Sequence, residues 1–288
     1  MNLDQLLNQL LTALTSISLL LLISIGLAVI FGMMGIINLA HGEFLMLGAF
    51  ATLAGVRVGL NIWLAMLLAP LLVGLFGLLV ERLLIQFLYG RLADSMLATW
   101  GLSLIMVQAV VFIFGTTTQG IPTPLGNFSL GQYSVSWYSV VLILAALLLI
   151  SVVFWVFKRT RYGLLARAAM QLPEMAMSLG INTRRLNALT FAFGSALAGA
   201  GGALLAPITG VVPGMGQAYI GRAFMNVIIA GPGVLTGTTA ASGLLGTVEY
   251  TASYVSTPFI GQAALLIFAI VLIRFLPTGL SGRWGKQL

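Results

Sequence analysis

The chain has 288 residues, of which 60% are apolar and only 7% charged; 34 are glycine and none is cysteine. A soluble domain carries roughly 25% charged residues, so this balance excludes an ordinary cytosolic protein. The missing cysteine removes disulfides, thiolate metal sites and thiol catalysis. A net charge of +7 could point to nucleic acid in a soluble chain. Here the placement decides otherwise: Lys158, Arg159, Arg161, Arg167, Arg184 and Arg185 face only Glu174 within one stretch between apolar runs. Such a loop marks the cytoplasmic side of a membrane protein, and no nucleic-acid partner is expected.

Five long runs lack Asp, Glu, Lys and Arg: Gln5 to Ala40, Ser95 to Phe157, Leu186 to Gly221, Ala223 to Val248 and Tyr250 to Ile273. Each can hold at least one helix of the ~20 residues a bilayer requires. The fold class is therefore all-α, a polytopic transmembrane helical bundle forming one domain over 1–288. Met1-Asn2-Leu3-Asp4-Gln5 lacks the basic residue of a signal peptide, so the first apolar segment is expected to remain as a span. Spans are placed near 10–31, 34–56, 60–80, 95–115, 136–157, 187–208, 235–255 and 258–276. A shorter stretch at 217–230 contains Arg222 and ends at Gly231-Pro232-Gly233.

Parity sets the topology. The loop 158–185 and the tail with Arg274, Arg283 and Lys286 should both be cytoplasmic. An even number of crossings must separate them, so 217–230 is expected to be a short crossing. That gives about nine in all, with eight the alternative, and broken or short helices near 35–43 and 217–233. The segment from Thr116 to Tyr138 then lies outside, where its glycines and prolines predict a turn-rich cap.

The motifs argue against chemistry within the chain. The nearest approach to a P-loop, Gly279 to Gly285-Lys286-Gln287, has the wrong spacing and lacks the hydroxyl residue. A single histidine cannot form a HExxH pair, and no Gly-x-Ser-x-Gly elbow occurs. No metal, cofactor or catalytic residue is expected. Ionisable residues within spans are costly, which makes His41, Glu43 and Glu249 candidates, with Arg222 if its crossing forms. Asn38 belongs with the first two, either lining a path or capping an unwound start of the second helix. Thr239, Ser242, Gly246, Glu249 and Ser253 recur at helical spacing and are expected to share one face. Trp100, Ser103 and Gln108 in the fourth span are weaker candidates. In the loop, Pro173 can start a helix and Gly180 can end one, enclosing Glu174 and Ala176. A short helix there, flanked by arginines such as Arg167, suits docking onto a soluble partner, or it is a solvated connector.

Gly26-Leu27-Ala28-Val29-Ile30-Phe31-Gly32 followed by Gly35 to Glu43 resembles permeases of the branched-chain amino acid and urea/amide family of ABC importers. The similarity continues through Arg161–Ala168, Leu179–Asn182, Ala188–Gly199 and Leu276–Leu280. It implies a multi-pass subunit of the bacterial inner (plasma) membrane that hydrolyses no ATP itself. Its implied partners are a second related permease subunit, two cytoplasmic ATPase subunits, a periplasmic substrate-binding protein and the lipid bilayer. The loop 158–185, with Glu174, Ala176, Gly180 and Arg167, is by resemblance the ATPase coupling loop. Asn38, His41, Glu43, Trp100, Gln108, Thr239, Ser242 and Glu249 are the candidates for the translocation path. Ala98–Ile105 and Gly216–Ile220 with Ala223–Met225 look closer to the urea branch. Urea or a short amide is thus the expected substrate, branched-chain amino acids the alternative, and a self-sufficient channel or secondary transporter the rival mechanism.

Overall fold

The computed structural model describes residues 3–231 and 233–282. Pro232, Arg283 and Lys286, which entered the topology argument, lie outside the described residues. In chain order the helices are α1 (Leu3–Met34), α2 (His41–Arg57), α3 (Ile62–Leu83), α4 (Leu92–Phe114), α5 (Trp137–Arg159), α6 (Arg161–Gln171), α7 (Pro173–Ser178), α8 (Thr183–Thr209), α9 (Gln217–Ala230), α10 (Thr236–Val255), α11 (Pro258–Phe275) and α12 (Gly279–Gly282). Among the described residues six helical segments are long and apolar enough to cross a membrane by length and composition. Leucines of α3, including Leu67, Leu71, Leu75 and Leu83, are exposed along its length, a surface suited to lipid or to another membrane subunit.

Short polar side chains fix several helix starts. Asn61 accepts the Trp63 amide at 2.9 Å, Asn182 accepts the Arg185 amide at 2.9 Å, and Thr160 accepts the Gly163 amide at 3.1 Å. Each satisfies a donor that the first helical turn would leave bare. The break expected near 35–43 is shorter than anticipated. Non-helical backbone ends at Ala40, and His41, Gly42 and Glu43 already belong to α2. A carboxylate in a first helical turn is favoured by the helix dipole, so Glu43 helps the helix begin early.

The region after α4 is more ordered than a turn-rich cap. It holds an antiparallel hairpin of β1 (Asn127–Leu130) and β2 (Tyr133–Ser136). Gly131 takes φ +60° while Gln132 keeps a negative φ, the pattern of a two-residue II′ turn.

The chain packs as two compact units, each drawn from separated stretches. The first contains the described residues up to Ser24, Pro122–Leu149 and the described residues from Gly221 onward. There α1 meets α10 where Gly246 lacks a side chain; a Cβ would lie 2.8 Å from the Ile17 Cα. Asp4 sits against the hairpin turn at Gly131, and Gln9 donates to the Tyr254 hydroxyl at 2.8 Å. At the other end Ser281 donates to the Ala230 carbonyl at 2.6 Å and accepts from the Gly233 amide at 2.7 Å. The start of α1, the hairpin and the end of α10 thus lie together, as do the end of α9 and α12.

The second unit contains Ile25–Ile121 and Ile150–Ile220. Its centre is α8, on which α2 and α3 pack. The contact is backbone to backbone. A Cβ on Gly48 would overlap the Gly199 carbonyl, and one on Gly202 would overlap that of Leu45. Small residues permit this close approach, which supplies dispersion where the hydrophobic effect is absent. The ends after α2, α4 and α8 are tied together. Arg57 donates to the Gln119 side chain, and Gln119 and Val211 exchange amide bonds at 2.8 and 2.7 Å. At the opposite end Phe31–Gly35, Tyr89, Ala169, Met170, Pro173, Thr183 and Asn187 surround one cavity. Burial and the Glu81 carboxylate that accepts its hydrogen bond push the Tyr89 phenol well above its ordinary range.

Candidate functional site

Each unit holds its own buried polar cluster. In the second unit it is built around the non-helical link from Gly35 to Ala40. Asn38 is fully buried, and its Oδ1 accepts the Ala40 amide at 3.0 Å. It therefore holds the link, and Ala40 occupies the cap position of α2 with no side-chain cap bond. Thr99 of α4 accepts the Leu39 amide at 3.0 Å and donates to the Ser95 carbonyl at 2.7 Å. One turn further along α4, Ser103 donates to Glu43 Oε1 at 3.1 Å. Glu43 is 1% exposed, and its Oε2 and the Asn38 Nδ2 have no hydrogen-bond partner. His41 is also buried, with its Cε1 3.2 Å from where a Gly26 Cβ would stand. The His41 side chain thus lies toward α1 at Gly26, while Asn38, Glu43 and Ser103 are brought together. Trp100 and Gln108 are not: both lie exposed on the other face of α4, Gln108 beside Leu104 and Ile105.

In the first unit the cluster lies between α9, α10 and α1. Arg222 Nη1 donates to Glu249 Oε1 at 2.8 Å, with side chains only 16% and 14% exposed. One turn along α9, the fully buried Asn226 donates to Ser24 at 2.6 Å and to Ser242 at 2.8 Å. Its Oδ1 has no partner. The α10 stripe differs at one position from the expected face. Thr238 is buried, whereas Thr239 is exposed and donates back to the Leu235 carbonyl at 2.8 Å. Asn226, Thr99 and Thr238 escaped the sequence reading. The available signal for Asn226 was an amide within the apolar run of α9, one turn from Arg222.

The loop 158–185 folds into α6 and α7. Arg167 turns back to donate to the Phe157 carbonyl, so it fastens α6 to the end of α5. Tyr162 bonds Thr190 at 2.6 Å; burial pushes its phenol up, and that bond pulls the other way. Pro173 opens α7. Beyond α7, the Ile181 amide reaches the Ala176 carbonyl at 3.0 Å and the Gly180 amide reaches that of Met177 at 3.0 Å. With Gly180 at φ +81° this is a Schellman ending. Ala176 is buried, whereas Glu174, Met175, Met177 and Leu179 are exposed.

Residues 9–276 match the family described as the permease component of the branched-chain amino acid transport system. The chain is 31% identical to the permease protein BraD of the Pseudomonas aeruginosa high-affinity branched-chain amino acid transport system, over 96% of each chain. It is 28% identical to the corresponding LivH of Escherichia coli, over 91% of each chain. With LivM of E. coli it shares 27% identity over 73% of this chain and 55% of LivM. No solved structure matches the chain. These relatives back the amino acid alternative over the urea branch. The segments that pointed to urea are shaped by packing: Gly216 lies against the Gly42 backbone, and Trp100, Leu104 and Ile105 face outward. Matched along nearly its whole length, the chain belongs to the permease-component family of branched-chain amino acid transport systems.

Proposed function

We propose that the chain is one of two membrane subunits of an ATP-driven importer that carries branched-chain amino acids across a bacterial inner membrane. The observation that carries this reading is the end-to-end relation to BraD, 31% identity over 96% of both chains. In E. coli LivH and LivM are each named a permease protein of a high-affinity branched-chain amino acid transport system, which supports a second permease subunit as partner. The loop supports ATPase docking. Leu164, Leu172, Met175, Met177 and Leu179 are exposed there among Arg161, Arg184 and Arg185. That is an apolar surface with a basic rim on the side the charge rule makes cytoplasmic. One of the two ATPases seats on it through α7, the other seats on the second permease subunit, and a periplasmic binding protein delivers the substrate.

Nine crossings fit the way helix ends sort by side within each unit. Parity requires the ends of α2, α4 and α8 to lie outside, and Arg57, Gln119 and Val211 meet. It requires the start of α1 and the end of α10 to lie outside, and Gln9 meets Tyr254. It requires the end of α9 and the C-terminal stretch to lie inside, and Ala230 meets Ser281.

The experiment is ATP-dependent uptake of labelled leucine and labelled urea by vesicles holding the chain, a second permease, the ATPases and a binding protein. Leucine uptake that stops when any component is omitted is the expected result. Urea uptake instead would overturn the substrate, and flux without ATP would overturn the importer.

A further inference from the structure

We propose that the Arg222–Glu249 pair is a head-group site for neutral α-amino acids, which it takes up by exchanging partners with the zwitterion. The proposal rests on the amino acid reading above and names residues for it.

Stability does not account for the pair. Two full charges sit within apolar helices, 16% and 14% exposed and 2.8 Å apart. Each alone would be expensive at that depth. Replacing both by apolar residues of similar size is commonly neutral or stabilising, so packing alone would favour their loss. A second feature sits one helical turn away. Asn226 spends its Nδ2 on Ser24 and Ser242, and its fully buried Oδ1 has no partner. A buried acceptor left unsatisfied is rare and calls for a ligand or a role. Ser242 lies two turns from Glu249 on α10, as Asn226 lies one turn from Arg222 on α9. The two clusters therefore occupy one α9–α10 seam, with the free acceptor on the turn of α9 that follows the cation, about 6 Å along the helix axis.

A zwitterion complements that set. Its carboxylate suits the guanidinium, whose fork binds carboxylates in two-pronged fashion. Its ammonium suits Glu249 and the Asn226 Oδ1. The exchange replaces one ion pair by two, leaves the net charge unchanged, and at no stage strands a bare charge. Urea has no charges to trade, and a solute with a third charge would leave one unpaired. The site thus selects α-amino acids with uncharged side chains.

The test uses the whole complex in vesicles and the double variants Arg222→Met/Glu249→Leu and Arg222→Glu/Glu249→Arg. The first removes the pair with conserved bulk, and the second keeps it with reversed polarity. Both are expected to assemble and retain ATP hydrolysis while leucine uptake falls by about tenfold or more, the scale of losing a buried charge partner. Either variant assembling with uptake unchanged overturns the proposal. A measurement on the unaltered protein guards against poor assembly. Saturation-transfer NMR on the purified permease pair compares leucine with 3-methylbutylamine and 4-methylpentanoate, which each lack one charge. A strong leucine signal with weak signals from both analogues is expected; equal signals from all three overturn the proposal. An unaltered complex that imports no leucine would instead bring down the underlying amino acid reading, a result distinct from unaltered uptake in the variants.

Discussion

Glu43 illustrates what a single buried side chain can and cannot reveal. Its Oε1 takes one hydroxyl donor, Ser103, at 3.1 Å, and its Oε2 takes none. Glutamine at this position would keep an acceptor for Ser103 without the possibility of a buried negative charge. Glu43→Gln is therefore expected to leave protein abundance near that of the parent and to change the unfolding free energy by no more than about 1 kcal/mol. Glu43→Lys would bury a cation with no carboxylate beside it, and is expected to abolish accumulation in the membrane fraction. Asn226 behaves differently, because it ties α9 to both α1 and α10. Asn226→Leu removes two interhelical bonds, each worth roughly 0.6 to 1.7 kcal/mol in membranes. The expected loss is about 1–3 kcal/mol, read from unfolding of the purified protein in mixed detergent micelles. The sequence exposed Glu43, Arg222 and Glu249 as intramembrane polar groups and gave no such prominence to Asn226. It did not expose their partners: Arg222 and Glu249 lie far apart in the chain, and no spacing rule joins two different helices.

At the scale of elements, helices were legible wherever apolar runs exceeded a membrane thickness. The hairpin at 127–136 was not, because Asn-Phe-Ser-Leu and Tyr-Ser-Val-Ser are too short for alternation to stand out from loop composition. Choosing Thr239 over Thr238 failed for a related reason. Adjacent threonines lie about 100° apart on a helix, and the packing around α10 decides which one is buried. Close helix packing was also hidden, since Gly48 and Gly101 look alike in sequence. A Cβ on Gly48 would enter the Gly199 backbone, whereas Gly101 faces open space. Gly48→Val is expected to cost about 1–3 kcal/mol by overpacking, and Gly101→Val to leave the thermal midpoint near that of the parent. Equal effects at the two positions would refute the packing account. In the loop, Gly180→Ala forces a side chain into left-handed backbone at roughly 1–2 kcal/mol. It should loosen α7 and weaken ATPase capture in pull-down experiments, without reducing insertion.

For the whole molecule the open quantity is the number of crossings, and the cysteine-free chain makes it directly measurable. Thr236 and Thr257 flank α10 and are both exposed. With nine crossings Thr236→Cys lies inside and Thr257→Cys outside. A membrane-impermeant maleimide applied to intact spheroplasts should then label only the second. Eight crossings, with α9 failing to cross, invert that pattern. Overall class and the order of spans were legible because hydropathy follows from the bilayer itself. The interleaving of two units from five separated stretches was not, since it depends on which helix faces meet.

The glycine contacts within the second unit also bear on how a mutational screen of this chain would read. Gly42, Gly48, Gly199, Gly202 and Gly216 admit no side chain without displacing another backbone or a packed neighbour. A growth selection for solute uptake would score them as intolerant as any ligand-contacting residue, and they would crowd a map of essential positions. Normalising each variant's uptake to the amount of protein in the membrane separates the two groups. Glycine variants should vanish from the corrected map with their protein, while a residue that touches the passing solute should remain.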